Sequence, residues 1–379
     1  MTMFVQPPIP RRAALSGILA SALLPVAVRA AAPSYDAVVA PPERTALPAG
    51  RRFPDLDAAL KAAPADARRP YRIWIARGDW TGQFVIDRPH VELVGEDRAA
   101  TRLCFTAASG LIAPDGRPYG TFRTAVVKVT APGFSARSLT IDNRFDGTAE
   151  MRKTGPRLLS DAPAGPQAIA LALIEGSDGA QLDRVDIHSH QDSLFVDAGS
   201  SRFSDCLISG SYDFIFGAGS ALFERCEIRS RLRPDPAQVT GYVVAPSTLA
   251  ERAVGLLLHR CRLTRESGVA DGSVFLGRPW RPSKRFDDGR YGDPMAVGMA
   301  ACLDCWMDAH IAPAGWTEMW FTDRAGNNRH MLQPEEARFS EYRSSGPGAP
   351  QAGIKRRGAL LTAADAQNLL RQIARTRQG

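Results

Sequence analysis

Apolar residues recur along the middle of the chain in a short repeated pattern. Leu182-x-x-Val185-x-Ile187 is followed by Phe203-x-x-Cys206-x-Ile208, Phe223-x-x-Cys226-x-Ile228 and Leu258-x-x-Cys261-x-Leu263. Successive units begin 21, 20 and 35 residues apart, the long step taking in an Arg- and Pro-rich insertion (231–245). Apolar and polar residues alternate within each unit, and Gly or Ser separates the short runs, which is strand patterning with turns. A period near twenty with several short strands per unit predicts coils stacked on coils, each burying its apolar positions against the next. No helical period lies between the strands, so a TIM barrel and a doubly wound sheet do not fit. Hairpin turns of the Asn-Gly kind are scarce, which argues against a β-sandwich. The predicted fold is therefore all-β, a single-domain right-handed parallel β-helix.

Two helices complete that prediction. Residues 55–62 (DLDAALKA) read as a short amphipathic helix over the first coil, and Thr362 with Asp365 caps a C-terminal helix running to Arg375. Both ends of a solenoid need covering, because an open coil is an unpaired strand edge.

Residues 1–30 differ from all that follows. Arg11 and Arg12 precede an uncharged apolar run from Ala13 to Val28, and Val28-Arg29-Ala30 supplies small residues for cleavage after Ala30. This is the pattern of an export signal, with adjacent arginines of the twin-arginine kind. Residues 31–379 are then the mature domain. Cleavage removes three arginines and no acid, lowering the formal charge from +7 to +4. No other stretch holds 18 consecutive apolar residues, so no membrane span is expected in the mature chain. The expected setting is periplasmic or extracellular, and the expected state monomeric.

The repeat also aligns two acids. Asp192 lies ten residues after Leu182 and Asp213 ten after Phe203, so both fall on one face, one strand spacing of ~4.8 Å apart. Carboxylates that close disfavour double ionisation, leaving one as nucleophile and its neighbour protonated as an acid. Spacing alone equally allows two solvated aspartates. The surroundings favour chemistry: Asp213 sits among aromatics in Tyr212-Asp213-Phe214-Ile215-Phe216, and Gln191 beside Asp192 can donate to a developing oxyanion. Gln167, at the head of the run Ala168-Ile169-Ala170-Leu171, means little alone.

At these residues the chain resembles the pectin methylesterases, bacterial branch. The matching segments are Gln167-Ala168-Ile169-Ala170-Leu171, Gln191-Asp192-Ser193-Leu194, Asp213-Phe214-Ile215-Phe216-Gly217 and Leu276-Gly277-Arg278-Pro279-Trp280. The resemblance spans roughly residues 45–365 and implies the same β-helical fold. It implies Asp213 as nucleophile, Asp192 as general acid and then base, and Gln191 and Gln167 as oxyanion donors. Arg278 would orient Asp213, and Trp280, Phe216, Phe195 and Met319 would line the sugar cleft. The implied substrate is pectin or a methylated oligogalacturonide, with no cofactor and no metal. The chain departs from the family pattern at Ser193 (usually Thr), at Phe195 (often Tyr) and in Gly78-Asp79-Trp80-Thr81-Gly82, which leaves the finer substrate preference open.

Other signals carry less. Six His show no metal-ligand spacing; Cys302-x-x-Cys305 lacks a second pair and reads as a structural pair or buried thiols; no Gly-x-Ser-x-Gly occurs. Cys206 and Cys226 stand at equivalent positions of successive coils, about 5 Å apart, inside the range a disulfide needs, and a bridge is expected. Arg229, Arg231, Arg233, Lys284 and Arg285 could attract a polyanion, whereas Lys355-Arg356-Arg357 reads as a solvated turn. Basic and aromatic residues do not interleave as nucleic-acid readers require, so no nucleic-acid partner is expected. Three other readings compete: a thioesterase or other carboxylesterase on the same aspartates, a non-catalytic polysaccharide-binding solenoid, and a polyuronate lyase, which would want calcium-binding acid clusters absent here.

Overall fold

The computed structural model describes residues 34–146, 165–233 and 241–376, with the isolated positions 1, 3 and 149. The expected export signal lies, apart from positions 1 and 3, outside the described residues. Contacts divide the chain into Met1–Pro33 and Ser34–Gly379. The second unit is a parallel β-helix, with an 18-stranded and a seven-stranded sheet. No helix among the described residues is long and apolar enough to cross a membrane.

The sequence repeat appears as register. Leu182, Phe203, Phe223, Leu258 and Cys302 pair in turn across five coils, as do Ile187, Ile208, Ile228, Leu263 and Met307. All ten are buried, and the Phe203 and Phe223 rings stack with centroids 4.7 Å apart. The motif's spacing of three and then two departs from strict alternation for a backbone reason. Arg184, Asp205, Arg225 and Arg260 adopt φ of +50° to +56°. One left-handed residue bends the strand, so that the apolar residues on both sides of it face inward. Such a conformation is uncommon for residues with a Cβ, and here it recurs coil after coil.

The same register explains the cysteines. Cys206, Cys226, Cys261 and Cys305 follow Val185 in one inward column, yet all six cysteines are buried free thiols. The expected Cys206–Cys226 bridge is not formed. Each thiol of the column donates instead to a carbonyl of the preceding coil. Cys206 Sγ lies 3.6 Å from the Leu182 oxygen, and Cys226 Sγ lies 3.4 Å from that of Phe203.

The helices form where patterning places them. In α1 (Leu56–Lys61) the Asp55 side chain caps the Ala58 N–H at 2.7 Å, and Leu56, Ala59 and Leu60 are buried over the first coils. In α2 (Ala363–Arg375) Thr362 and Asp365 form a reciprocal capping box. α2 does not plug the open end: Ala366 and Ile373 pack on outward-facing Leu222, Leu257 and Ala301 of the large sheet. Covering of the C-terminal end involves residues expected to be solvated. The Arg356 side chain, 4% exposed, donates to both Glu341 oxygens at 2.7 and 3.0 Å and reaches the Ala312 carbonyl, while Arg357 pairs with Glu335 and Glu318.

Candidate active site

The seven-stranded sheet carries the site. Its strands in chain order are β1 (Phe84–Ile86), β2 (Val127–Val129), β3 (Leu171–Leu173), β4 (Leu194–Val196), β5 (Tyr212–Gly217), β6 (Gly241–Pro246) and β7 (Val274–Gly277). Just before β3 and β4, Gln167 bridges Gln191, and Gln191 bridges Tyr212 at the head of β5. Three polar or aromatic positions are thereby aligned across three coils, and Asp192 falls beside Asp213.

Both aspartates are left-handed, with φ of +65° and +48°. Each stands where the strand turns inward, so the residue after it, Ser193 or Phe214, is fully buried. Gly210 makes room for that turn: a Cβ there would lie 2.2 Å from Phe214 Cβ. Sparsely populated backbone held in place by a stacked core is a way to aim a functional group.

The electrostatics separate the two acids. Arg278 grips Asp213 through two parallel hydrogen bonds, Nε to Oδ1 at 3.0 Å and Nη2 to Oδ2 at 2.7 Å, with both side chains buried. A charge-assisted fork of this kind favours and orients the carboxylate. The guanidinium itself is held between aromatic faces, 4.0 Å from the Tyr242 ring centroid and 4.7 Å from that of Tyr212. Asp192 has no such partner. Burial, and then the neighbouring Asp213 charge, push its carboxyl well above the usual range, against a smaller downward pull from Arg278 and the Gln191 amide. One carboxylate is thus held in an arginine fork, and its neighbour is disposed to hold a proton.

A cavity of about 280 Å³ opens over these groups, lined by Gln167, Gln191, Asp192, Asp213, Arg278 and Tyr212 on its polar side. Phe216, Trp280 and Met319 line the apolar side. Of the cleft residues expected from sequence, Phe195 alone lies beneath the lining: it is 4% exposed and stacks on Phe216 at 4.6 Å. Gln191 Oε1 is buried without a hydrogen-bond partner among the described residues. Of the expected polyanion-attracting cations, Arg233 lines the cavity over the Tyr212 ring, but Arg229, Arg231 and Lys284 pair with Glu227, Glu266 and Asp293.

Sequence reasoning missed Phe122, Tyr242 and Trp320. Phe122 and Trp320 line the cavity although 55% and 51% exposed, and Phe122 leans on Phe195 at 5.0 Å. Phe122 lies outside the repeat and Trp320 on an antiparallel hairpin (Met319–Phe321 with His330–Leu332), so coil periodicity holds no trace of either. Tyr242 could have been found, because it pairs in register with Tyr212.

Residues 46–369 match the pectinesterase family model. The chain belongs to the pectinesterase family. It is 38% identical over 341 residues to pectinesterase A of Dickeya dadantii, a match covering 88% of this chain and 90% of that protein. The solved pectin methylesterase PemA from Erwinia chrysanthemi superposes with a TM-score of 0.80 at 38% identity, covering 89% of this chain and 96% of that one. A pectin methylesterase from carrot matches at a TM-score of 0.67 and 25% identity, covering 88% and 90%. As a pectinesterase the chain is a carboxylic ester hydrolase, and the family's parallel β-helix agrees with the fold read from the repeat.

Proposed function

We propose that this pectinesterase removes methyl esters from galacturonate units of pectin, with Asp213 as nucleophile. A pectin methylesterase with this fold, at a TM-score of 0.81 and 38% identity, has been solved in complex with a hexasaccharide, which supports an oligosaccharide in the corresponding cleft here. The observation that carries the reading is the unequal pair: an arginine-gripped carboxylate beside a buried carboxyl that favours its proton.

The geometry suits a two-step acyl transfer. An Asp213 oxygen adds to the ester carbonyl carbon, and the charge that develops on the carbonyl oxygen is met by the Gln191 and Gln167 amide N–H groups. Collapse breaks the bond to the methoxy oxygen, which leaves as methanol with the proton from Asp192. Asp213 is then joined to the galacturonyl carboxyl as a mixed anhydride. Water attacks the galacturonyl carbon, its proton passes to Asp192, and the Asp213 carboxylate is released beside the free acid. Trp280, Phe216 and Met319 offer apolar surface to the C–H faces of the sugars. No step calls for a cofactor.

Methanol release from methylated pectin, measured for the wild type, Asp213→Ala and Asp192→Ala, tests the assignment. The wild type is active and both variants are folded and inactive; substantial activity in either variant overturns it. Export belongs to the same reading, since pectin lies outside the cell and residues 1–30 have the composition of an export signal. Mass analysis of protein recovered from outside the cytoplasm should find Ala31 as the first residue.

A further inference from the structure

Solvent-exposed aromatic rings are rare in this chain and meet at one place. Phe122 and Trp320 both line the cavity, and no other aromatic side chain among the described residues is as exposed. Single exposed apolar residues are ordinary on a protein surface. A pair opening into one cavity is a property of that cavity.

The two rings approach it from opposite sides. Phe122 leans on Phe195 of β4, one strand before the strand of Asp213, and so stands toward the solenoid's N-terminus. Trp320 comes from the other direction: Trp316, in the segment leading to its hairpin, bridges Gly277 at the end of β7, two strands beyond β5. Phe195 stacks on Phe216, which in turn meets the Trp280 ring at 5.6 Å, so an aromatic series runs along the coil axis past the aspartate pair.

Both rings are anchored through their own backbone. Phe122 lies in the turn Thr121–Arg123, where the Arg123 carbonyl accepts from the Gln83 amide at 2.8 Å and the Thr121 carbonyl from the Thr124 hydroxyl at 2.7 Å. Trp320 sits between Met319 in the cavity wall and buried Phe321, over which Arg281 packs at 4.7 Å. Groups fixed before a ligand arrives lose less freedom when it binds.

Resting on the esterase reading, we infer that Phe122 and Trp320 are the outer sugar-binding positions of the cleft, stacking on the units of the polymer that flank the ester under attack, one on each side. Their flat faces suit the apolar C–H faces of pyranose rings. A contact to a flanking unit is the same in the ground state and in the transition state, so it acts on KM rather than on kcat.

The test measures kcat and KM for methanol release from highly methylated pectin. Phe122→Ala and Trp320→Ala should each raise KM about fivefold, the middle of the range for one aromatic contact, with kcat held within about twofold. The double variant should raise KM about 25-fold, because contacts at separate positions add in free energy. Phe122→Tyr and Trp320→Tyr keep a flat ring and should hold KM near the wild-type value. Thermal unfolding should stay the same throughout, since both rings are exposed. A KM that stays at the wild-type value in either alanine variant, or a fall in kcat as large as the fall in kcat/KM, overturns the inference while leaving the esterase reading intact. A wild type that releases no methanol brings down both.

Discussion

The two outward faces of the solenoid handle charge differently. On the large sheet, charges meet across neighbouring strands: Glu92 takes Arg72 and Arg137 at 2.9 Å each, Arg102 meets Asp79 at 2.6 Å, and Asp205 meets Arg225 at 2.7 Å. On the seven-stranded sheet the strip is mostly apolar; Asp213 is matched by Arg278, but beside it, among the described residues, stand a buried carboxyl with no cation of its own and an amide oxygen without a partner. The backbone framework is shared by both faces. The ion pairs of the large sheet hold adjacent coils in place; on the other face one pair orients a carboxylate and the groups left unmatched beside it remain available to a substrate.

The sharpest way to break this comparison is to remove the proposed nucleophile. Asp213→Ala should lower kcat on methylated pectin by at least about 10⁴-fold, in protein whose thermal unfolding remains cooperative. Next comes Arg356, whose side chain is 4% exposed and paired with Glu341. Arg356→Ala leaves the buried Glu341 without its ion-pair partner, and should cost about 3–5 kcal/mol of stability by denaturant titration without changing kcat per folded molecule. Removing a proposed oxyanion donor lies close behind. Gln191→Ala should reduce kcat by roughly 10²–10³-fold, with a smaller change in KM, because the interaction strengthens in the transition state.

Smaller effects sharpen the contrast. Folding raises the Asp192 carboxyl above its ordinary range, so the folded state holds a proton that the unfolded chain gives up. That contribution is whole below the unfolded value of 3.8 and is lost as pH rises through the folded one. Asp192→Asn, inactive and uncharged, should therefore unfold about 2 °C higher than wild type at neutral pH, and the gain should vanish by pH ~3. On the paired face, Glu92→Ala should cost below about 1 kcal/mol and leave kcat/KM within error. A large activity loss there would erase the distinction between the faces.

The periodic part of the architecture was legible because a solenoid repeats its constraints. Each coil buries the same positions against the next, so Leu182, Phe203 and Phe223 announced the register, and Asp192 with Asp213 followed from the same offset. Helix signals were legible because capping is local: Asp55 and Thr362 act within one turn of themselves. The cysteine column defeated the same reasoning. Spacing placed Cys206 beside Cys226 correctly, but both remain free thiols that donate to backbone carbonyls. Arg356 was misread because its partner Glu341 and the Ala312 carbonyl are distant in sequence from the basic run that contains it.

What the residue order determined by itself is the inward pattern and the alignment of two acids on adjacent coils, since both are consequences of period and backbone geometry. The tertiary structure decided how those acids differ. Arg278 arrives 65 residues after Asp213 and reaches only one of them, while burial acts on the other. Electrostatic identity of this kind is set by neighbours in space and by exclusion of water, neither of which is a property of local sequence.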